Sequence, residues 1–235
     1  MSDYKKIKIV DSMSIDEILD LLKDDVKFLQ HKIDEHTKQY RRLIKNSSKP
    51  GRFFYEPMNY ESARGFHYFL QFFKRAENEE YKDKLGILYY VWFIKNRGMY
   101  AVTVSRLSIT GHSELHLTVY TPHFIDRYRE RFLKDLSISK SKAFLTYYKN
   151  NLKMATSGRP SEKYPKGYWA VCNDGLCLCN RMNGLTVEAT TFITYDMAGK
   201  EQKQFSYDAK TAMLDRGFEI NLPEEDFEEF VIDDN

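Results

Sequence analysis

The sequence predicts an α+β fold, in which a long N-terminal helix precedes a mainly antiparallel sheet with packed helices. Two observations predict this class. The first 49 residues lack Gly and Pro, and apolar residues there recur at intervals of three and four. From Gly86 onward, short runs rich in β-branched and aromatic residues are separated by turn signals. We therefore divide the chain into an N-terminal helical arm (1–50), an α+β body (51–218) and an acidic tail (219–235).

The composition excludes several classes of protein. With 235 residues, 42% of them apolar and 30% charged, the chain resembles neither a disordered nor a collagen-like sequence. The uninterrupted apolar run Ile87 to Ile94 is far shorter than the roughly 20 residues of a membrane-spanning helix. Three cysteines without framework spacing, and no apolar segment after the N-terminus, predict a cytoplasmic protein without a secretory signal.

The charge is unevenly distributed along the chain. Residues 219–235 contain eight acidic residues and no Lys or Arg, whereas the remaining chain carries 36 basic and 26 acidic residues. A basic body with an acidic tail is typical of polyanion-binding proteins that shield themselves. The alternative is a solvated body with a frayed acidic end.

The N-terminal helix is predicted from its first turn onward. Ser14 and Glu17 have the spacing of a capping box, and the helix should end near Asn46, where Asn-Ser-Ser-Lys-Pro-Gly follows. Between Ile15 and Leu43 the apolar residues form a seam of roughly four heptads. Such a seam predicts self-association or a protein partner through residues 15–43, or packing on its own body. Because the flanking positions are not cleanly charged, we favour packing on the body.

Further elements follow in order. Residues 60–80 are predicted as a second helix, from a stripe of Phe66, Phe69, Leu70 and Phe73. Three further helices are expected. One begins at Thr121-Pro122, one covers Ser137 to Asn150, and a short one covers residues 200–215. The expected strands are Gly86 to Lys95, Met99 to Leu107, Leu115 to Tyr120, Gly167 to Val171, Leu176 to Arg181 and Leu185 to Thr194.

The densest chemical signal is the segment 121–132, Thr-Pro-His-Phe-Ile-Asp-Arg-Tyr-Arg-Glu-Arg-Phe. On a helix, His123, Arg127 and Arg131 share one face, while Phe124, Ile125, Tyr128 and Phe132 cover the other. The positive end of the helix dipole favours a neutral imidazole at His123. A neutral His beside two guanidinium groups suits phosphodiester chemistry, because His can accept a proton while Arg holds the phosphate. The alternative is an amphipathic helix with a solvated polar face.

The segment from this helix onward resembles small bacterial toxin and phage nucleases. The resemblance is carried by the helix, by the Ile138-Ser139 pair that begins the next helix, by Gly175, and by strands that end in Thr-Phe-Ile-Thr (191–194). The group is the RelE/BrnT-like one within the barnase–EndoU–colicin–RelE fold, and the resemblance covers roughly 115–205. It implies RNA cleavage by attack of the 2′-OH, although some members lack the activity. The small toxins have no counterpart of the first 114 residues. In an RNA-cleaving protein we expect His123 to act as general base, Arg127 and Arg131 to bind the phosphate, and Thr194 or Tyr195 to serve as an auxiliary donor.

Two other patterns were weighed as sites. His112, Glu114 and His116 fall on one face of a strand and form a candidate metal site, although the polar face of an edge strand is the favoured interpretation. The cysteines Cys172, Cys177 and Cys179 lack zinc-finger spacing, so we expect buried thiols. No phosphate-binding glycine loop is present, and no cofactor is predicted.

A basic run interleaved with tyrosines lies within the segment that carries the resemblance. Its candidate nucleic-acid ligands are Lys140, Lys142, Lys149, Lys153 and Arg159. Cations with stacking rings suit single-stranded RNA, whereas a solvated helix face is the commoner origin of such a run. Three functions therefore stay open. They are an RNA-binding or metal-independent RNA-cleaving protein of toxin or phage type, a non-enzymatic interaction module of a mobile element, and a metal-dependent hydrolase.

Overall fold

The computed structural model describes residues 7–47, 53–74, 85–109, 112–151, 155–157, 167–183 and 185–214. It confirms the α+β class, with a long N-terminal helix, mostly antiparallel strands and further helices. The chain folds as two compact units, Met1–Leu107 and Ser108–Asn235. Within the described ranges, none of the helices combines the length and apolar character needed to cross a membrane. The acidic tail 219–235 lies outside the described residues.

Helix α1 (Ile15–Lys45) begins at the predicted capping box. The Ser14 hydroxyl accepts a hydrogen bond from the Glu17 backbone N–H at 3.2 Å, and the Glu17 carboxylate accepts one from the Ser14 N–H at 2.7 Å. Two otherwise unpaired N–H groups are thereby satisfied. The bond from the Ser14 N–H, together with a second one from the Ser14 hydroxyl, lowers the pKa of the Glu17 carboxyl. The start of α1 is therefore specified by local sequence alone.

The buried stripe of α1 keeps the predicted seam at Leu19, Leu22, Leu29 and Ile33 and departs from it only near the C-terminal end of the helix. Leu22 and Ile44 are buried and Ile33 is 9% exposed, each eleven residues from the next, whereas Leu43 of the predicted seam is 44% exposed. An undistorted helix drifts relative to a seven-residue repeat, so its buried face moves from position 43 to 44 over this length. The stripe packs on strands of its own unit. Self-association or a protein partner through residues 15–43 stays a prediction.

In the described part of the first unit there are five antiparallel strands, with β3 paired to β1, β2 and β4, and β4 paired to β5. They are β1 (Phe53–Phe54), β2 (Met58–Glu61), β3 (His67–Lys74), β4 (Leu85–Lys95) and β5 (Gly98–Ile109). A buried polar cluster fastens α1 to β3. The Tyr68 hydroxyl donates to Asp25 at 2.6 Å, and Arg64 Nη1 donates to the Leu21 carbonyl at 3.0 Å. Burial, with the bond to Asp25, raises the pKa of Tyr68 and keeps it a donor.

The helix predicted over residues 60–80 is wrong in its described part, because His67–Lys74 forms β3. The apolar residues fit helical spacing, but every residue from Tyr68 to Phe73 is buried, including Gln71 at 3% exposure. A strand buried on both faces loses the alternation that would reveal it. Aromatic enrichment was the better indicator of strand here. Residues 75–80 lie outside the described ranges.

The second unit contains β6 (His112–Tyr120), β7 (Ala155–Ser157), β8 (Gly167–Cys172), β9 (Gly175–Arg181) and β10 (Thr186–Ile193). Their order in the sheet is β6-β10-β9-β8-β7, with β6 and β10 parallel and the other pairs antiparallel. Helix α2 (Pro122–Tyr128) packs on β10 and on α3 (Lys140–Asn150). Helix α4 (Lys200–Leu214) packs on β7 and β8.

The packing of α1 predicts a large difference between two leucine substitutions on the same helix. Leu22→Ala should lower the free energy of unfolding by about 2–5 kcal/mol, because Leu22 is fully buried. Leu43→Ala should have only a small effect, because that side chain is half-exposed. Urea unfolding followed by circular dichroism measures both. Equal losses would contradict the burial pattern of α1.

Candidate functional site

Helix α2 starts at a bulge in β10. The Thr121 hydroxyl accepts from the Phe124 N–H at 3.2 Å and donates to the Thr190 carbonyl at 3.1 Å, so it both caps the helix and fixes it to the strand. The register of β10 against β9 shifts between Ala189 and Thr191, and this bulge leaves the Thr190 carbonyl for Thr121. Pro122 occupies the first turn, as predicted. The start of α2 is therefore fixed relative to the sheet.

The end of α2 departs from the predicted α-helix. Residues Arg129–Leu133 form a π turn, closed by a hydrogen bond from the Lys134 N–H to the Arg129 carbonyl. A π turn has a wider repeat than an α-helix, so the side chains that follow it rotate out of phase with those before it. The predicted single face of His123, Arg127 and Arg131 is therefore interrupted after Tyr128. Lys134 ends the turn with a left-handed backbone, φ 52°.

The first half of the predicted site stays together on the exposed side of α2. Arg127 Nε lies 3.4 Å from His123 Nε2, and Arg127 Nη1 pairs with the Glu130 carboxylate. Because a guanidinium group only donates, His123 Nε2 is the acceptor in this contact. His123 is exposed, and the Arg127 side chain is 35% exposed. A proton acceptor, a cation and a carboxylate thus meet at the surface.

Arg131 turns toward the sheet instead. Its Nη1 donates to the Phe192 carbonyl at 2.6 Å, at the end of β10. This bond secures the second end of the α2 segment to the same strand that Thr121 engages. A guanidinium carries five N–H donors, so one bond to a carbonyl leaves capacity for an anion. In the structure Arg131 therefore attaches the end of the α2 segment to β10, and its contact with phosphate stays a prediction.

Thr194 and Tyr195 follow β10 and occupy different environments. The Thr194 side chain hydrogen-bonds the Asp196 carboxylate, and this bond lowers the pKa of Asp196, with a further contribution from the nearby Lys134 charge. Tyr195 is 5% exposed, and its hydroxyl donates to the Cys172 carbonyl. The structure therefore uses the Tyr195 hydroxyl inside the core and does not bring it to the exposed pair His123 and Arg127. Thr194 remains partly exposed.

The predicted cations on α3 are only partly arranged as a binding surface. Lys140 Nζ pairs with Asp126 at 2.8 Å, and Lys142 is exposed. Partial burial lowers the pKa of Lys149. Lys153 and Arg159 lie outside the described residues.

The metal alternative gains no support from the part of the chain that the structure describes. There, no group of three or more His, Cys, Asp or Glu residues is arranged to hold a metal ion. The side chains of His112 and Glu114 lie outside the described ones, so their grouping with His116 stays a prediction. Burial lowers the pKa of His116.

All three cysteines are free and buried, as expected. Burial raises the pKa of the Cys172 and Cys179 thiols. Cys177 Sγ lies 3.1 Å from the Tyr147 hydroxyl.

A polar cluster that the sequence did not indicate lies on the side of α2 that packs on the sheet. The Asp174 carboxylate, in the β8–β9 turn, accepts from the Tyr128 hydroxyl at 2.7 Å and from Asn151 Nδ2 at 2.8 Å. Burial and the bond to Asp174 raise the pKa of Tyr128, so the phenol stays a donor. One carboxylate therefore ties α2 and the end of α3 to the sheet. The sequence analysis places Tyr128 only on the apolar face of the helix. The bond to Asp174 could not be predicted, because the two residues are 46 positions apart in the sequence.

Comparison with protein-family models, with curated proteins and with solved structures finds no match to this chain. The resemblance to RelE/BrnT-like nucleases accordingly stays a prediction.

The Asp174 cluster predicts that Tyr128→Phe destabilises the second unit. Removing a hydrogen bond to a charged group should cost about 1.5–3 kcal/mol, because the part-buried Asp174 carboxylate loses a donor that water replaces only incompletely. Tyr207→Phe is the matched control, since Tyr207 is 47% exposed. Urea unfolding of both variants checks the difference. A Tyr128→Phe variant as stable as the control would show that the bond contributes little.

Proposed function

We propose that this protein binds RNA at the α2 surface and cleaves it without a metal, with His123 as general base and Arg127 as the phosphate ligand. The observation that carries this proposal is the contact between Arg127 Nε and His123 Nε2 on an exposed helix face. The contact uses His123 Nε2 as an acceptor, the role that a general base requires. It also sets a phosphate-binding group beside that acceptor.

The proposed reaction begins with exchange of partners at Arg127. A phosphodiester oxygen competes with Glu130 for the guanidinium, and when Arg127 turns to the phosphate, His123 Nε2 becomes accessible. The ribose 2′-OH then gives its proton to Nε2 while its oxygen attacks phosphorus. The bond from phosphorus to the 5′-oxygen breaks, that oxygen takes a proton from water, and a cyclic 2′,3′-phosphate results. Binding of the substrate thus uncovers the base.

A cleavage assay with paired substitutions tests the role of these two residues. With a mixed RNA pool in EDTA, His123→Ala should slow cleavage by about 10²–10⁴-fold, as expected for loss of a general base. Arg127→Lys should also slow it, because an ammonium cannot make a bidentate phosphate contact. The controls are His31→Ala and Arg42→Lys, which change exposed residues of the same types on α1.

The results separate the candidate functions. Full activity in the control variants, with loss in the two site variants, supports the proposal. Wild-type protein that leaves all RNA intact with or without added divalent metal contradicts an RNA-cleaving enzyme. If it also fails to bind RNA, the non-enzymatic interaction module becomes the better hypothesis.

Glu130 provides a separate prediction for binding. Glu130→Gln removes the carboxylate that occupies Arg127, so RNA affinity should rise about 2–5-fold, the size expected for a partly exposed ion pair. The probe is a 2′-O-methyl oligonucleotide, which cannot be cleaved through its 2′ position, and fluorescence anisotropy reports binding. Asp208→Asn on α4 is the control, because it changes the net charge equally at another exposed carboxylate. Equal gains in both variants would indicate a general charge effect only.

A further inference from the structure

We propose that Phe132 stacks on an unpaired base of the bound strand, so that the site takes single-stranded rather than duplex nucleic acid. The inference rests on the proposed RNA function and names its substrate class. Phe132 was predicted to pack on the sheet, but the π turn changes its direction and leaves it 36% exposed.

The Phe132 ring contacts two other rings and is partly exposed. Its plane is nearly parallel to that of Tyr128, with an interplanar angle of 15° and centroids 5.2 Å apart. The Phe192 ring is nearly perpendicular to it, with centroids 6.3 Å apart. One face of Phe132 is thus occupied by Tyr128, and Tyr128 is in turn fixed by its bond to Asp174. A ring held in this way is a rigid platform whose exposed part is available to a base.

Cations flank Phe132 in the sequence, and a nucleic acid backbone could exchange with the carboxylates that pair with them. Arg131 precedes it in the chain, exposed Lys134 follows two residues later, and Arg127 lies on the preceding turn. Stacking rings beside cations are the usual means of binding single strands, because every base has a π face and every nucleotide a phosphate. An exposed apolar ring alone would not select this ligand, but the adjoining cations favour an anionic, aromatic one.

The preference for a single strand follows from geometry. In a duplex, each base is stacked on its neighbours and offers no free face to a protein side chain. Bases in single-stranded segments can turn outward and stack on aromatic rings. A stacking ring on the segment that carries the proposed base would therefore select nucleic acid in which the base is unpaired.

The experiment compares two substitutions at Phe132 on an uncleavable probe. The probe is a 2′-O-methyl oligonucleotide, single-stranded or annealed to its complement, and anisotropy measures affinity. Phe132→Leu removes the ring and should weaken single-strand binding about 5-fold or more, as for loss of one stacked base. Phe132→Tyr keeps the ring and should retain affinity. Tyr207→Leu, which removes an exposed ring on α4, should leave binding unchanged.

Each outcome decides the inference. A loss in Phe132→Leu that Phe132→Tyr does not share, together with weaker binding of the duplex by the wild type, supports it. Unchanged single-strand affinity in Phe132→Leu, with a melting temperature that shows a folded protein, overturns it. So does duplex binding as tight as single-strand binding. In either of those cases, cleavage of RNA in EDTA that depends on His123 would still support the proposed function. Conversely, if the wild type binds the single-stranded probe through Phe132 but does not cleave RNA, the proposed catalytic function fails and the stacking inference stands.

Discussion

The attachment of α2 to β10 at both ends is the constraint on which the candidate site depends. A helix of seven residues is too short to be stable in isolation, because nucleation costs more than so few hydrogen bonds return. Thr121 binds the Thr190 carbonyl at one end, and Arg131 binds the Phe192 carbonyl at the other. The apolar side of α2 then packs on the sheet, which leaves His123 and Arg127 on the solvent side. Tertiary bonds, rather than helix propensity, hold these side chains in place.

The π turn explains why the predicted site is only half assembled as expected. Spacing of four residues places His123, Arg127 and Arg131 on one helical face only if the α-helix continues. The wider turn at Arg129–Leu133 brings Arg131 to a sheet carbonyl and leaves Phe132 partly in solvent. Arg131 thereby gains a bond to the sheet, while Phe132 keeps its ring contacts with Tyr128 and Phe192 but is partly exposed. The local sequence fits an α-helix equally well, so the turn could not be predicted without the strand that stabilises it.

Features fixed by local contacts were predictable, and those fixed by distant partners were not. The capping box of α1, the hairpin of β4 and β5 and the start of α2 at Thr121 follow from neighbouring residues, and all three are present. Strand β3 was missed because burial on both faces removed its alternation. The Asp174 cluster joins residues 46 positions apart, so only the fold brings Tyr128 to it. Likewise, the core position of the Tyr195 hydroxyl depends on Cys172 in another strand.

The charges near α2 bear on how a phosphate would bind there. Arg127 pairs with Glu130, Arg129 and Lys140 both pair with Asp126, and Lys134 lies near Asp196. A phosphodiester arriving at Arg127 therefore replaces a carboxylate rather than water alone. Such an exchange preserves the ionic contact of the guanidinium, and its net gain depends on how well the new anion fits. Because a guanidinium fork matches two phosphate oxygens, geometry rather than net charge would decide which anion remains bound.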